Sequence, residues 1–384
     1  MIYLDNAATT KPDPRVLKAM MPYLTDEFGN AGSTHTLGRN ANKAITTARE
    51  QVAKLFHCCP DQVLFTSGGT DANNMVFNGV ADHLKEIGKT HILISAVEHD
   101  SILNFSRELI KRDFYIQILP VDPQGIVSVE TVQHNIQEDT GLVSVMYVNN
   151  EVGTVNPIEK IGELCNSRGI LFHTDCVQAA GTHDLNVGRI GCDFASVSSH
   201  KIHGVKGVGA LFVRDREIFK PTIIGGSTQE FGLRGGTENV PGIVAFGKAC
   251  EICCEETQQD LIHISTLKQT FYSELINHIE KDSIKVNGSS ALTPGKILNL
   301  QIKGVDAETI LLLADSKGVH ISAGSACTSH ELTPSHVLTA MGLSNDEAHN
   351  SIRISFSKDN TEEEVINAAK IVADCINCAR GWLF

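Results

Sequence analysis

Val63-Leu-Phe-Thr66 is followed without interruption by Ser67-Gly-Gly-Thr70 and then by Asp71-Ala-Asn-Asn-Met-Val-Phe-Asn-Gly-Val-Ala-Asp82. The first run is apolar and of strand length, the second is a glycine turn, and the third reads as a helix. Further short apolar strands are expected at residues 91–95, 117–119, 143–148, 171–174, 194–197 and 210–213. Helices are expected between several of them, among these 41–56 and 159–168. Short buried strands alternating with helices define an α/β fold, a mainly parallel sheet covered on both faces.

After Thr237 the pattern changes. Residues 242–278 read as one or two long helices, followed by a strand at 297–302, a helix at 306–316, a strand at 351–355 and a last helix from Thr361. Thr361 offers a capping hydroxyl, and Glu362, Glu363 and Glu364 suit the positive end of the helix dipole. This is the texture of a smaller α+β domain. The expected division is a large domain of residues 15–254 and a small one built from 1–14 and 255–384.

The chain has 384 residues with a formal net charge of −13. That balance excludes a general polyanion binder, which needs a basic footprint for phosphates, so no direct nucleic-acid partner is expected. No apolar run approaches the ~20 residues of a membrane span, so no membrane partner is expected. The opening Met1-Ile-Tyr-Leu-Asp5 does not read as a signal peptide, and the 11 cysteines are therefore expected to be cytoplasmic thiols.

Three segments carry candidate chemistry. Ser198-Ser-His-Lys201 follows an apolar strand and precedes the glycine-rich 204–209, which puts a lysine at a strand end, where open α/β sheets bind ligands. Such a lysine can act as nucleophile and base once its pKa falls. Asp175 closes the strand Leu171-Phe-His-Thr-Asp175 and could pair with a protonated pyridine nitrogen. The glycine turn at Gly68-Gly69 opens a helix whose first N–H groups lack partners, a fit for phosphate.

Together with further motifs, these segments resemble the cysteine desulfurases of the nitrogen-fixation and iron–sulfur branch. Those enzymes are class-V aminotransferase-like, depend on pyridoxal phosphate (PLP) and have the fold-type-I architecture with a seven-stranded sheet. The resemblance runs through Tyr3-Leu-Asp-Asn-Ala-Ala-Thr-Thr10, Thr66-Ser-Gly-Gly-Thr-Asp-Ala-Asn-Asn74, Val97-Glu-His99 and Val148-Asn-Asn-Glu-Val-Gly153. It continues through Asp175-Cys-Val-Gln178, Ser198-Ser-His-Lys201, Arg234-Gly-Gly-Thr-Glu-Asn-Val-Pro241, Gly324-Ser-Ala-Cys327-Thr-Ser329 and Ser351-Ile-Arg353.

By that resemblance Lys201 would hold the cofactor covalently, Asp175 its ring nitrogen and Gln178 its ring hydroxyl. Gly69, Thr70, Ser198 and His200 would bind the phosphate, with Ser199 in the same cofactor-binding set. Thr237 would reach the phosphate of a neighbouring subunit, which implies a homodimer. His99 would stack on the ring and move protons. Asn150, beside the cofactor, and Arg353 would hold the carboxylate of L-cysteine. Cys327 would take the sulfur as a persulfide and pass it to an acceptor, an iron–sulfur scaffold or a thiolation enzyme. Its loop, 322–335, is rich in small and polar residues and has the long form of the iron–sulfur branch; the selenocysteine-preferring branch has a shorter one. Another lyase or transaminase on this fold, such as a selenocysteine lyase, and a non-catalytic scaffold are the alternatives; Cys327 with its loop speaks against the first, and the intact set of Lys201, Asp175, His99 and Cys327 against the second.

No metal is expected, although a transient cluster on Cys327 stays open. Cys250-Glu-Ile-Cys253-Cys254 and Cys375-Ile-Asn-Cys378 have metal-like spacing but fall in helical segments without further ligands. Cys176 departs from the resemblance, and so does the end at Gly381-Trp-Leu-Phe384, which lacks the longer tail of many relatives.

Overall fold

The protein is described by a computed structural model that covers residues 1–288, 290–324 and 333–381. Its main sheet has seven strands: β1 (Val63–Thr66), β2 (His91–Ser95), β3 (Tyr115–Leu119), β4 (Thr140–Ser144), β5 (Leu171–Asp175), β6 (Phe194–Ser198) and β7 (Gly209–Val213). Their order across the sheet is β1-β7-β6-β5-β4-β2-β3. Strand β7 is antiparallel to both its neighbours and the other pairings are parallel. All strands but the edge strand β3 are buried along their whole length, save the half-buried Leu171 at the start of β5, which explains why they read as continuous apolar runs.

Side chains alternate between the two faces as the pleat requires. Val63, Phe65, Ala195, Val197, Ala210 and Phe212 pack with the helices Thr36–Phe56 and Ile158–Ser167 and the start of Val240–Asn277. Leu64, Phe194, Leu211 and Val213 pack on the other face with Gly69–Glu86 and Asp100–Ile110.

A separate apolar cluster lies under a three-stranded antiparallel sheet of β8 (Ile284–Asn287), β9 (Ile297–Ile302) and β10 (Ser351–Ser355), with β9 in the middle. Helices Ala307–Ser316 and Glu362–Gly381 cover it, and Ile2 and Leu4 of the N-terminus join it. Val240–Asn277 is one helix of 38 residues; its Phe246 and Cys250 belong to the first core, its Leu267 and Phe271 to this one.

Two expectations change. The strand expected at 143–148 starts earlier and ends at Ser144: beyond it the Val145 and Tyr147 N–H groups still donate to the His173 and Asp175 carbonyls of β5, but the Met146 N–H on the other side donates to the Glu98 carboxylate at 2.7 Å. The short strand β8 and the two-residue pair Ile2–Tyr3 with Val319–His320 carry no readable pattern of their own. Thr361 does cap the last helix, accepting the Glu364 N–H at 3.2 Å.

Candidate active site

The carboxyl ends of β1, β2, β4, β5 and β6 converge on a cavity of about 190 Å³. After β1 the chain turns through Gly68, whose φ of +151° is a conformation suited to glycine. A side chain on Gly69 would put its Cβ 2.8 Å from Val177, so glycine lets the helix start approach the turn that follows Asp175. Among the described residues no side chain caps this helix, and Gly69 and Thr70 line the cavity. Its first-turn amides and dipole therefore form an anion seat.

Asp175, the last residue of β5, is buried and tightly held. Its Oδ1 accepts the Val177 N–H at 2.9 Å and its Oδ2 accepts Asn73 Nδ2 at 2.8 Å. Gln178 donates through Nε2 to the Ala7 carbonyl at 2.8 Å, while its buried Oε1 has no partner among the described residues. An acceptor in that condition is costly unless a ligand donates to it.

Strand β6 ends at Ser198, and one tight turn, Ser199–Lys201, follows. Lys201 Nζ donates to the Ala7 carbonyl and to the Ala8 carbonyl, the latter at 2.8 Å. The N-terminal segment thus forms one wall of the cavity. Burial first, then Lys201, Lys206 and Lys296, push the His200 imidazole down to about 4. It is neutral at pH 7 and can donate one hydrogen bond to an anion through a ring N–H without a charge of its own.

His99 caps the helix Asp100–Ile110, its Nδ1 accepting the Ser101 N–H at 3.1 Å and lying 2.9 Å from Ser101 Oγ. An Nδ1 that accepts leaves the proton of the neutral ring on Nε2. Asn73, 1% exposed, supplies Ser101 Oγ at 3.0 Å with the second hydrogen of the amide that holds Asp175. Beside His99, Glu98 is wholly buried; burial pushes its carboxyl up to about 8, against donors from Ser95 and Met146.

Arg353 lies on β10 with 1% exposure, Nη1 donating to the Asn150 carbonyl and Nη2 to Asp5, each at 2.9 Å. Its Nε has no partner among the described residues. The loop that presents Asn150 is shaped by Asn149, whose Oδ1 accepts the N–H groups of Glu151 and Val152 at 2.8 and 3.0 Å.

Gly69, Thr70, His99, Asn150, Asp175, Gln178, Ser198, His200, Lys201 and Arg353 thus share one cavity. Ser199 does not line it: the side chain is buried against Gly204, where an added Cβ would come 2.0 Å from Ser199 Oγ. Thr237 is exposed and also lies outside the lining. Cys327 falls outside the described residues. Asn73, Ala7, Ala8, Met146 and Val177 line the cavity too, and sequence reading assigned them no role. Asn73 stood within a quoted motif, but its partners are 28 and 102 residues away, so no local signal marks it.

Cys176 is fully buried, and burial raises its thiol well above the ordinary range. Cys250, Cys253 and Cys375 are buried, and Cys254 and Cys378 exposed. Among the described residues no three His, Cys, Asp or Glu side chains gather as for a metal ion, and no helix is long and apolar enough to cross a membrane.

Residues 2–367 match the family of class-V aminotransferases. The cysteine desulfurase IscS of Clostridium botulinum is 40% identical over 99% of this chain and 95% of its own length. A cysteine desulfurase of Trichormus azollae is 41% identical over 100% and 97%. A solved NifS-like protein superposes with a TM-score of 0.90 at 34% identity, over 98% of this chain and 99% of that one. SspA, solved in complex with cysteine, does so with a TM-score of 0.81 at 34% identity, over 94% and 100%. With a seven-stranded, mainly parallel sheet of fold type I and a lysine and an aspartate facing one cavity at its strand ends, the chain belongs to the class-V aminotransferase family and, within it, to the cysteine desulfurases.

Proposed function

We propose that this cysteine desulfurase uses pyridoxal phosphate, takes L-cysteine and moves its sulfur to Cys327. The observation that carries the proposal is the set of complementary groups around one cavity. An uncapped helix start at Gly69 and Thr70, with Ser198 and the neutral His200, suits a phosphate. Asp175 suits a ring N–H, and the unpartnered Gln178 Oε1 suits a ring hydroxyl. Lys201 would hold the cofactor covalently. When bound, the cofactor withdraws electrons from the amino-acid Cα.

The chain's own groups account for the rest. Arg353, backed by Asp5 and the Asn150 carbonyl, and the Asn150 side chain hold the substrate carboxylate. Lys201 takes the Cα proton, and His99, with its proton on Nε2, moves protons at the opposite side of the substrate. The Cys327 thiolate attacks the substrate sulfur; the carbon–sulfur bond breaks, a sulfur–sulfur bond forms, and L-cysteine plus Cys327 thiol become L-alanine plus Cys327 persulfide. An acceptor protein, an iron–sulfur scaffold or a thiolation enzyme, then removes the outer sulfur.

The working form is a cytoplasmic homodimer in which Thr237 reaches the partner's phosphate. Residues 15–254 form the cofactor-binding unit, and 1–14 with 255–384 the smaller one. Borohydride reduction followed by peptide mapping tests the assignment: the cofactor mass is expected on Lys201, and its appearance on another lysine would overturn it.

A further inference from the structure

A second cavity, of about 40 Å³, lies on the other side of Lys201. Its walls are Thr10, Lys201 and His203, the Ile252–Ile264 part of the long helix, Lys296 just ahead of β9, and Phe356 to Lys358. Lys296 is 7% exposed, and no hydrogen bond or ion pair among the described residues reaches its ammonium. A buried ammonium in that state either gives up its proton or takes a counter-ion.

Among the described residues no carboxylate pairs with Lys296. Asp260 is the one carboxylate among the described lining residues, and it sits 3.9 Å from Lys358, which also pairs with Glu256 and Asp13. His203 faces Asp359 at 3.4 Å. Cys253 stays a neutral thiol, its pKa raised by burial despite the Thr257 hydroxyl beside it. The hydroxyls of Thr10, Thr182 and Thr257 donate to the carbonyls of His200, Ala179 and Cys253. Three lysines thus face one carboxylate that is already engaged. Burial first, then Lys201, with Cys253 opposing them, bring the Lys296 amine down to about 7, so a bound anion would decide its charge at neutral pH.

We propose that this cavity is a binding site for a monovalent anion of chloride or hydrosulfide size, held by Lys296. A volume of about 40 Å³ is room for an ion of one or two heavy atoms. Because Lys201 walls both cavities, an anion here offsets the repulsion between the two lysines and ties the protonation of Lys201 to anion occupancy. Hydrosulfide as the occupant rests on the desulfurase reading; the site itself does not.

Crystals of the holoenzyme grown without halide and soaked in sodium bromide test it by anomalous diffraction. One bromide is expected against Lys296 Nζ in the wild type and none in Lys296→Met, which keeps its bound cofactor. Displacement of that bromide by sodium hydrosulfide at lower concentration than by chloride identifies hydrosulfide as the resident anion, and the reverse order identifies chloride. A wild-type cavity without bromide at saturating soak, or bromide retained in Lys296→Met, would overturn the proposal.

Discussion

Asn73 and Asp175 are joined by a hydrogen bond of 2.8 Å, and the same Asn73 amide reaches Ser101, which holds His99. One buried side chain thus ties the carboxylate at the end of β5 to the imidazole at the start of the helix after β2. The group proposed to hold the cofactor ring and the group proposed to move protons are set by a single network. A buried network of this kind fixes orientation more than it adds stability, and it leaves Asn73 Oδ1 without a hydrogen-bond partner among the described residues.

Removing the Ser101 hydroxyl tests that coupling. Ser101→Ala leaves the backbone N–H on His99 Nδ1 but removes the Oγ contact, so the ring loses part of its orientation. The expected result is a kcat about tenfold lower, with KM and cofactor retention nearly unchanged, the size of one lost hydrogen bond. Ser101→Thr restores the hydroxyl and should recover most of the rate. A uniform loss in both variants would mean a packing role only.

Glu98 makes a pH-dependent prediction. Burial raises its carboxyl from the usual 4.5 to about 8, so the folded state holds a proton that the unfolded state has lost in between. The associated stability is fully present below about 4.5 and is lost as pH rises through about 8. Glu98→Gln keeps an uncharged side chain of the same shape and removes the titration. Urea midpoints should fall from pH 5 to pH 8 more steeply in the wild type than in the variant, and parallel profiles would refute the assignment.

Thr237→Ala tests the shared site. Thr237 is exposed in the single chain and sits outside its cavity, as a residue that serves a partner would. The expected result is a dimer that folds normally but loses cofactor at least tenfold more readily, on the order of the 1.5–3 kcal/mol of a charge-assisted hydrogen bond. Sedimentation of a fully active, cofactor-saturated monomer would contradict it.

Cys327→Ser should keep cofactor binding and Cα-proton exchange while losing persulfide and sulfide. Cys176, adjacent to Asp175 in sequence, cannot stand in for it: its thiol is fully buried and its pKa is raised well above the ordinary range, so little thiolate forms. Normal desulfurase turnover in Cys327→Ser would move the role to another thiol.

The fold was legible because β1, β2 and β4 to β7 are buried on both faces and so read as apolar runs between glycines and helices. Site residues at strand ends, such as Asp175 and Lys201, were legible for the same reason. Asn73, Glu98 and Lys296 were not. Each gains its meaning from partners far along the chain, or from the lack of one, and a single sequence records neither. The early end of β4 belongs to the same class, since it depends on the Glu98 carboxylate meeting the Met146 N–H across 48 residues.

Passage of cysteine sulfur to Cys327 can be weighed on the protein itself. The purified, cofactor-loaded protein is given L-cysteine without reductant, alanine is quantified, and the Cys327 peptide is weighed by mass spectrometry. One alanine per chain and one added sulfur atom on Cys327 are expected. Alanine without sulfur on Cys327, or pyruvate in place of alanine, would contradict that transfer.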